Sequence, residues 1–297
     1  MRISFRYGIT IAFSDMSTNS IALDGACQVP QIDPATRRYS FDHHAGCLRF
    51  ATLATCQQVA LAIRMGLVTD EDTEVLCNDW DADTVLAIWL LQNPSKVSEV
   101  KVVELVEKVG MMDAHFMGPA HPVHYLLTPR WGTVQTPEQL EGFLATLDAW
   151  YEDTLQYPPA RQQTGQAFGW KPELGWQNIG EVTDGFNDVY AAGFTAGIVY
   201  SPAPNGTVLY TVGRRSDFVP VATGPSHTDR QGDPSSYRPE TLLGALGLAE
   251  IEANPSQSHR TNWGGASTVG GSCRNEGNVG SVQTPAQVFE ICKKFGG

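Results

Sequence analysis

The first 155 residues alternate between short apolar runs and longer segments with helical spacing, and that alternation limits the chain to few folds. Strands are expected at 1–13, where Ile3, Phe5 and Tyr7 alternate, and at 19–24, 38–41 and 74–77. Leu53, Cys56, Ala60 and Ile63 share one helical face, so 52–65 is expected to be a helix closed by Gly66. Further helices are expected at 85–91, 98–112 and 136–155. Strands separated by helices imply an α/β class, with a mostly parallel sheet flanked by helices on its faces. In such sheets ligands gather at the carboxyl ends of the strands.

Three of the expected strands end in acid. Asp24 follows Ile21-Ala22-Leu23, Asp42 follows Arg38-Tyr39-Ser40-Phe41 and opens Asp42-His43-His44, and Asp79 follows Glu74 to Cys77 and opens Asp79-Trp80-Asp81-Ala82-Asp83. Asp113 ends the helix at 98–112. Carboxylates two apart at a strand end, with imidazole, suit a hard or borderline divalent ion: oxygen ligation with some nitrogen favours Mn²⁺, Mg²⁺ or Fe²⁺ over a structural zinc. If Asp24, Asp42, Asp79, Asp81, Asp83 and Asp113 converge, two ions are expected rather than one, because so many like charges need cations between them. Two such ions polarise a phosphoryl group and activate water, and a histidine off the metals can protonate a leaving oxygen. Plainer readings stand beside these. Asp42-His43-His44 can be a hydrogen-bonded turn, and Asp83 can be the N-cap of the helix that begins at Val85.

The rest of the chain is less regular. Residues 156–185, rich in Gly, Pro and Gln, read as a connecting segment between a metal-binding domain at 1–155 and a smaller α+β domain at 186–297. In the latter, 192–200 and 207–212 are β-like, 239–253 and 284–295 helical. Arg214 and Arg215 follow the second strand, and a glycine-rich stretch runs from His259 to Arg274. Its Gly264-Gly265 and Gly270-Gly271-Ser272 would let backbone N–H groups approach an anion, with Arg214, Arg215, Arg260 and Arg274 supplying charge.

The charge is uneven: 12 Lys and Arg against 23 Asp and Glu in residues 1–185, but 8 against 9 afterwards. A net charge of −12 is a poor footprint for long nucleic acid. No run approaches the roughly 18 apolar residues of a membrane span. The six cysteines show no paired C-x-x-C spacing and read as reduced, buried thiols, which suits the cytoplasm.

Phe41-Asp42-His43-His44 resembles the signature of the DHH phosphoesterase superfamily, and Asp79-Trp80-Asp81-Ala82-Asp83 resembles its D-x-D-A-D motif, here in permuted order, after D-H-H rather than before it. Asp24 resembles the strand-end aspartate of the family, and Asp113 its last aspartate. The resemblance implies two Mn²⁺-type ions, with Asp24 bridging, Asp81 and Asp83 on the metals and Asp79 and Asp113 completing the acidic set. It makes His43 a ligand, His44 the group nearer the scissile phosphate, and Asp42 the residue that orients His43 from behind, as metal-bound histidines usually require. It implies a C-terminal substrate-binding domain in which the glycine-rich stretch, His259 included, contacts phosphate. Thr84 stands where the family has glycine, and Ser272 where a histidine is expected.

The resulting expectation is a metal-dependent hydrolase of a small phosphorylated compound or short nucleotide, with a homodimer possible. The alternatives are metal-dependent chemistry on a non-phosphate substrate, or a metal- or nucleotide-binding regulatory protein without activity.

Overall fold

A computed structural model of the chain describes all residues except 45, 116–120, 129–134, 158–164, 204, 216–217, 222–238, 256–262, 266–268, 273, 276–277 and 296–297. It divides into two compact units, Met1–Pro158 and Pro159–Gly297.

The first unit holds a five-stranded sheet. Its strands are β1 (Arg2–Phe5), β2 (Ser20–Leu23), β3 (Gln31–Asp33), β4 (Arg38–Phe41) and β5 (Glu74–Cys77), in the spatial order β1-β5-β2-β4-β3. All pairings are parallel except that of the edge strand β3, which runs antiparallel to β4. β2 is central, with Leu23 opposite Phe41 and Ala22 opposite Leu76. Parallel strands in matched register end together, so the residues after β2, β4 and β5 emerge side by side at one edge.

Alternation along the strands separates two faces. Ile21, Leu23, Phe41, Val75 and Cys77 join a core with α1 (Thr55–Arg64), α2 (Ala82–Gln92), α3 (Val100–His115) and α4 (Gln139–Tyr151). Ala22 and Leu76 point the other way, against Phe13, Met16, Ala26 and Cys27. Among the described residues this second face is covered by the loops between β1 and β3 rather than by a helix, which departs from helices on both faces. Those loops close over it through a bridge between Ile11 and Cys27.

Helix α2 is buried along its whole length from Ala82 to Leu91. A helix apolar all round belongs at the centre of a packed unit, and α1, α3 and α4 all pack against this one. It starts three residues before Val85. The reason is Asp81, in extended conformation, whose side chain accepts from the Thr84 N–H and so serves as the N-cap in place of Asp83.

The second unit contains a six-stranded antiparallel sheet: β6 (Gly165–Lys171), β7 (Gly175–Val182), β8 (Ala196–Pro202), β9 (Val208–Arg214), β10 (Gly264–Gly265) and β11 (Val269–Gly271), in the order β10-β11-β9-β8-β6-β7. Phe168, Trp170, Ile198, Tyr210 and Val212 pack with α6 (Leu242–Ala253) and α7 (Pro285–Cys292). A short helix, α5 (Phe186–Ala191), and a two-stranded ribbon of β12 (Arg274–Asn275) and β13 (Asn278–Val279) complete the described elements. The segment 156–185 is therefore more than a connection, since β6 and β7 lie within it. Its glycines hide the strand pattern while serving the packing: a Cβ on Gly169 would sit 2.5 Å from Ile179 and Phe194.

The five described cysteines are free, and Cys27, Cys56, Cys77 and Cys292 are buried. Among the described residues no helix is long and apolar enough to cross a membrane.

Candidate metal centre

The matched ends of β2 and β4 deliver Asp24 and Asp42, and the stretch after β5 delivers Asp79, Asp81 and Asp83. Asp24 turns out of β2 at φ +49°, a left-handed conformation that aspartate tolerates better than most side chains. The turn directs its buried carboxylate at two hydroxyls: Thr55 Oγ1 donates to Oδ1 at 3.0 Å and Thr84 Oγ1 to Oδ2 at 3.4 Å.

His43 is fully buried at the centre of the acids. Its Nε2 lies 2.8 Å from Asp113 Oδ2, 3.3 Å from Asp24 Oδ1 and 4.0 Å from Asp83 Oδ2. Despite these distances, among the described residues neither ring nitrogen makes an aligned hydrogen bond, and Asp113 Oδ2 is equally without one. Asp113 is inside the last turn of α3, which extends past residue 112 to His115. His44 is partly open to solvent, its Nδ1 2.9 Å from Asp42 Oδ1 and 3.4 Å from Asp24 Oδ1. Two groups of donor atoms thus lie mutually within reach of an ion, Asp24–His43–His44 and His43–Asp83–Asp113, and His43 belongs to both.

The structure places several expected residues differently. Asp42 does not stand behind His43. Its Oδ1 accepts from the backbone N–H groups of His43 and His44 and faces the His44 ring, so the side chain it orients is His44. The tight turn after β4 folds the carboxylate back onto its own next two residues, and its Oδ2 is buried with no partner among the described residues. Asp81 is beside the cluster but outside both donor groups, with one oxygen on the Thr84 N–H at 2.7 Å. Asp79 is exposed, and its carboxylate accepts from the Gln135 side chain. Asp83 accepts from the N–H groups of Thr55 and Cys56 while facing His43.

The charges share one logic. Burial alone would push every carboxyl here upward, and it dominates for Asp81 and Asp83, with the neighbouring aspartates adding to it; Asp83 is raised to about 7. Asp24 and Asp113 are also opposed by burial, but imidazole contacts outweigh it and both are lowered. His43 is opposed by burial too, and the carboxylates of Asp113 and Asp24 raise it to about 11. Imidazolium therefore supplies the positive charge that this acidic cluster needs.

The donor set fits a divalent ion. Ligand bonds of about 2.0–2.2 Å place neighbouring donors roughly 3–4 Å apart, and His43 Nε2 has that spacing to the oxygens of Asp113, Asp24 and Asp83. Two buried atoms in this set, His43 Nε2 and Asp113 Oδ2, lack any aligned hydrogen bond, although buried polar atoms are normally paired.

Residues with no motif complete the surroundings. Thr55 and Thr84 brace Asp24, and Gln58 Nε2 donates to the Asp42 carbonyl at 2.9 Å. Arg49, in a 3-10 turn (Arg49–Ala51), is buried and donates through Nη2 to the Asp113 carbonyl at 3.1 Å.

The expected anion cradle of the second unit is built otherwise. Arg214 is buried within β9 rather than following it, and its Nη1 donates to the carbonyls of Val219 at 2.8 Å and Val221 at 3.3 Å. Arg215 is exposed and lies over the Tyr190 ring. Gly264 and Gly265 pair with Gly271 and Gly270, and β11 is hydrogen-bonded on both sides. Ser272 is buried, with the Tyr210 N–H donating to its Oγ at 3.0 Å. Arg274 lies in β12, and His259 and Arg260 fall outside the described residues.

Compared with family models, with curated proteins and with solved structures, the chain matches none.

Proposed function

We propose that this chain is a divalent-metal-dependent hydrolase of phosphoesters or phosphoanhydrides, acting on a small phosphorylated compound or short nucleotide. The observation that carries the reading is the arrangement around His43: one buried imidazole nitrogen facing the oxygens of three aspartates without an aligned hydrogen bond. The resemblance of Asp42-His43-His44 and of Asp79 to Asp83 to the DHH phosphoesterases supports the same reaction class. The permuted motif order is compatible with it, because β5 and β4 flank β2 from opposite sides whichever comes first in the chain.

In this reading Asp24, His43, Asp83 and Asp113 hold the metal, with Asp81 available from the start of α2. The resemblance implies two ions, Mn²⁺ before Mg²⁺ or Fe²⁺; His43 Nε2, common to both donor groups, would serve one of them, and the aspartates would hold the other. Bound metal supplies Lewis acidity toward a phosphoryl oxygen and toward water. The chain's own part is to orient and to move a proton. Asp42 and Asp24 fix the His44 ring through Nδ1, which leaves Nε2 to hold a proton for the departing oxygen. His44 suits that role because it is the more exposed imidazole of the pair.

The test is metal analysis of gently purified protein together with hydrolysis of a panel of phosphoesters and of pyrophosphate, with and without Mn²⁺. About two metal ions per chain and Mn²⁺-dependent turnover are expected. Protein that takes up no Mn²⁺, Fe²⁺ or Mg²⁺ would refute the proposal.

A further inference from the structure

Arg49 is a buried charge to which the metal-centre reading gives no role. It is 5% exposed. Among the described residues only Nη2 of its three nitrogens has a partner, the Asp113 carbonyl, while Nε and Nη1 are buried and have none. A guanidinium does not lose its proton in a protein, so burial cannot neutralise it as it neutralises a lysine. An uncompensated buried charge is among the most costly groups a fold can keep. Its position narrows what would pair with it. The bond to the Asp113 carbonyl anchors it one residue from the metal donors, because the carboxylate of that same residue lies 2.8 Å from His43 Nε2. The Arg49 charge is felt at both Asp113 and His115.

We infer that Arg49 is the oxyanion-binding residue of this centre, its free N–H donors receiving oxygens of the substrate's phosphoryl group. The choice of phosphate rests on the phosphoester reading given above. The assignment also answers a difficulty that reading creates: a bowl lined by aspartates repels a phosphate, and a fixed cation beside the metals offsets that repulsion. Guanidinium suits the task because its planar donors match phosphate oxygens better than an ammonium does.

The experiment compares wild type, Arg49→Lys and Arg49→Gln. Mn²⁺ binding is followed by the resonance of free Mn²⁺, and inorganic phosphate binding by calorimetry, with and without Mn²⁺. Thermal melting confirms that each variant is folded, and Arg49→Lys, which keeps the charge and a donor for the Asp113 carbonyl, carries the comparison if Arg49→Gln does not fold. The expected result is Mn²⁺ affinity within about threefold of wild type in both variants, with phosphate binding weakened at least about tenfold in Arg49→Gln and less in Arg49→Lys. Equal phosphate binding by the three proteins, including no binding by any of them, overturns the inference. Loss of phosphate binding in Arg49→Gln when none of the proteins binds Mn²⁺ overturns the metal centre instead and keeps the oxyanion site.

Discussion

Asp83 lies in the first turn of α2 yet closes the start of α1: its Oδ2 accepts from the Thr55 N–H and its Oδ1 from the Cys56 N–H, both at 2.8 Å. Helix α1 begins after Ala54, whose side chain has no acceptor, so a residue 28 positions away from Thr55 does what a local cap normally does. The same Oδ2 is 4.0 Å from His43 Nε2. One carboxylate therefore ties the packing of two helices to the candidate centre.

Asp83→Asn tests that coupling. The amide keeps one acceptor and turns an NH₂ toward a backbone donor, so one of the two helix N–H groups loses its partner inside the core. At pH 4, where the raised Asp83 carboxyl is still protonated in the fold, metal-free stability is expected to fall by about 1–3 kcal/mol in urea unfolding, and Mn²⁺ affinity at pH 7 is expected to fall as well. Unchanged unfolding would show that the contact contributes nothing to the start of α1.

Asp24 separates backbone from chemistry. At φ +49° asparagine is tolerated, whereas alanine adds roughly 1 kcal/mol of strain. Asp24→Asn is therefore expected to fold while Mn²⁺ binding weakens by about 10–100-fold, because a charged oxygen is lost from the donor set. Asp24→Ala should lose stability as well. If Asn and Ala variants were equally stable and bound Mn²⁺ like wild type, Asp24 would be a turn residue only.

Much of the first unit is legible in its sequence because strand ends and helix faces are local signals. The apolar runs ending at Leu23, Phe41 and Cys77 coincide with the ends of β2, β4 and β5, and parallel pairing makes three acids distant in sequence into neighbours. Pairing partners are not local, so the placement of β2 between β5 and β4 cannot be read from spacing. The same limit applies to Asp83: helix 52–65 is expected from its spacing, but its cap lies 28 residues away. Arg49 carries no signal in the sequence, since a lone arginine between Leu48 and Phe50 makes no pattern, and its burial depends on α3. In the second unit, the glycine that close packing requires at 169 and the glycines paired in β10 and β11 read as connection and loop. Arg214 read as a free charge because the carbonyls of Val219 and Val221, which it meets, are visible only after folding.

Asp42 faces His44, which predicts a separation of binding from turnover. Asp42→Asn alters the acceptor at His44 Nδ1 and hence which ring nitrogen carries the proton. On any phosphoester that the wild type hydrolyses, kcat is expected to fall by about 10–100-fold, with Mn²⁺ affinity near that of wild type because Asp42 belongs to neither donor group. A parallel loss of metal would instead give Asp42 a place among the ligands.

In the metal-free chain the acidic cluster should contribute most stability in mildly acid solution, and metal should move that contribution toward neutrality. Asp83 is raised from an ordinary 3.8 to about 7, chiefly by burial and by Asp113 and Asp24. A folded-state value above the unfolded one favours the protonated fold, so this contribution is complete below about pH 4 and is lost as pH rises through about 7. For so buried a group the loss is on the order of 2–4 kcal/mol. Asp81 is shifted in the same direction. Asp24 and Asp113 are lowered, so they stabilise above their unfolded values and withdraw that stability as the solution becomes more acid than about pH 4. His43 is raised to about 11; its contribution is complete below 6.5 and is lost as pH rises from there through 11. The cluster's own contribution to metal-free stability is therefore greatest near pH 4–5 and declines toward pH 7 and beyond, while His115, His121 and His124, lowered chiefly by burial, oppose that trend below pH 6.5. Mn²⁺ requires the carboxylates ionised and the imidazole neutral, so its binding should tighten across the same interval and release protons. Thermal melting from pH 4 to 8 with and without Mn²⁺, together with proton release measured in two buffers of different ionisation enthalpy, reads both effects. Metal-free stability that rises steadily from pH 4 to 7, or Mn²⁺ binding that releases no protons, would contradict the charge balance assigned to Asp83 and His43.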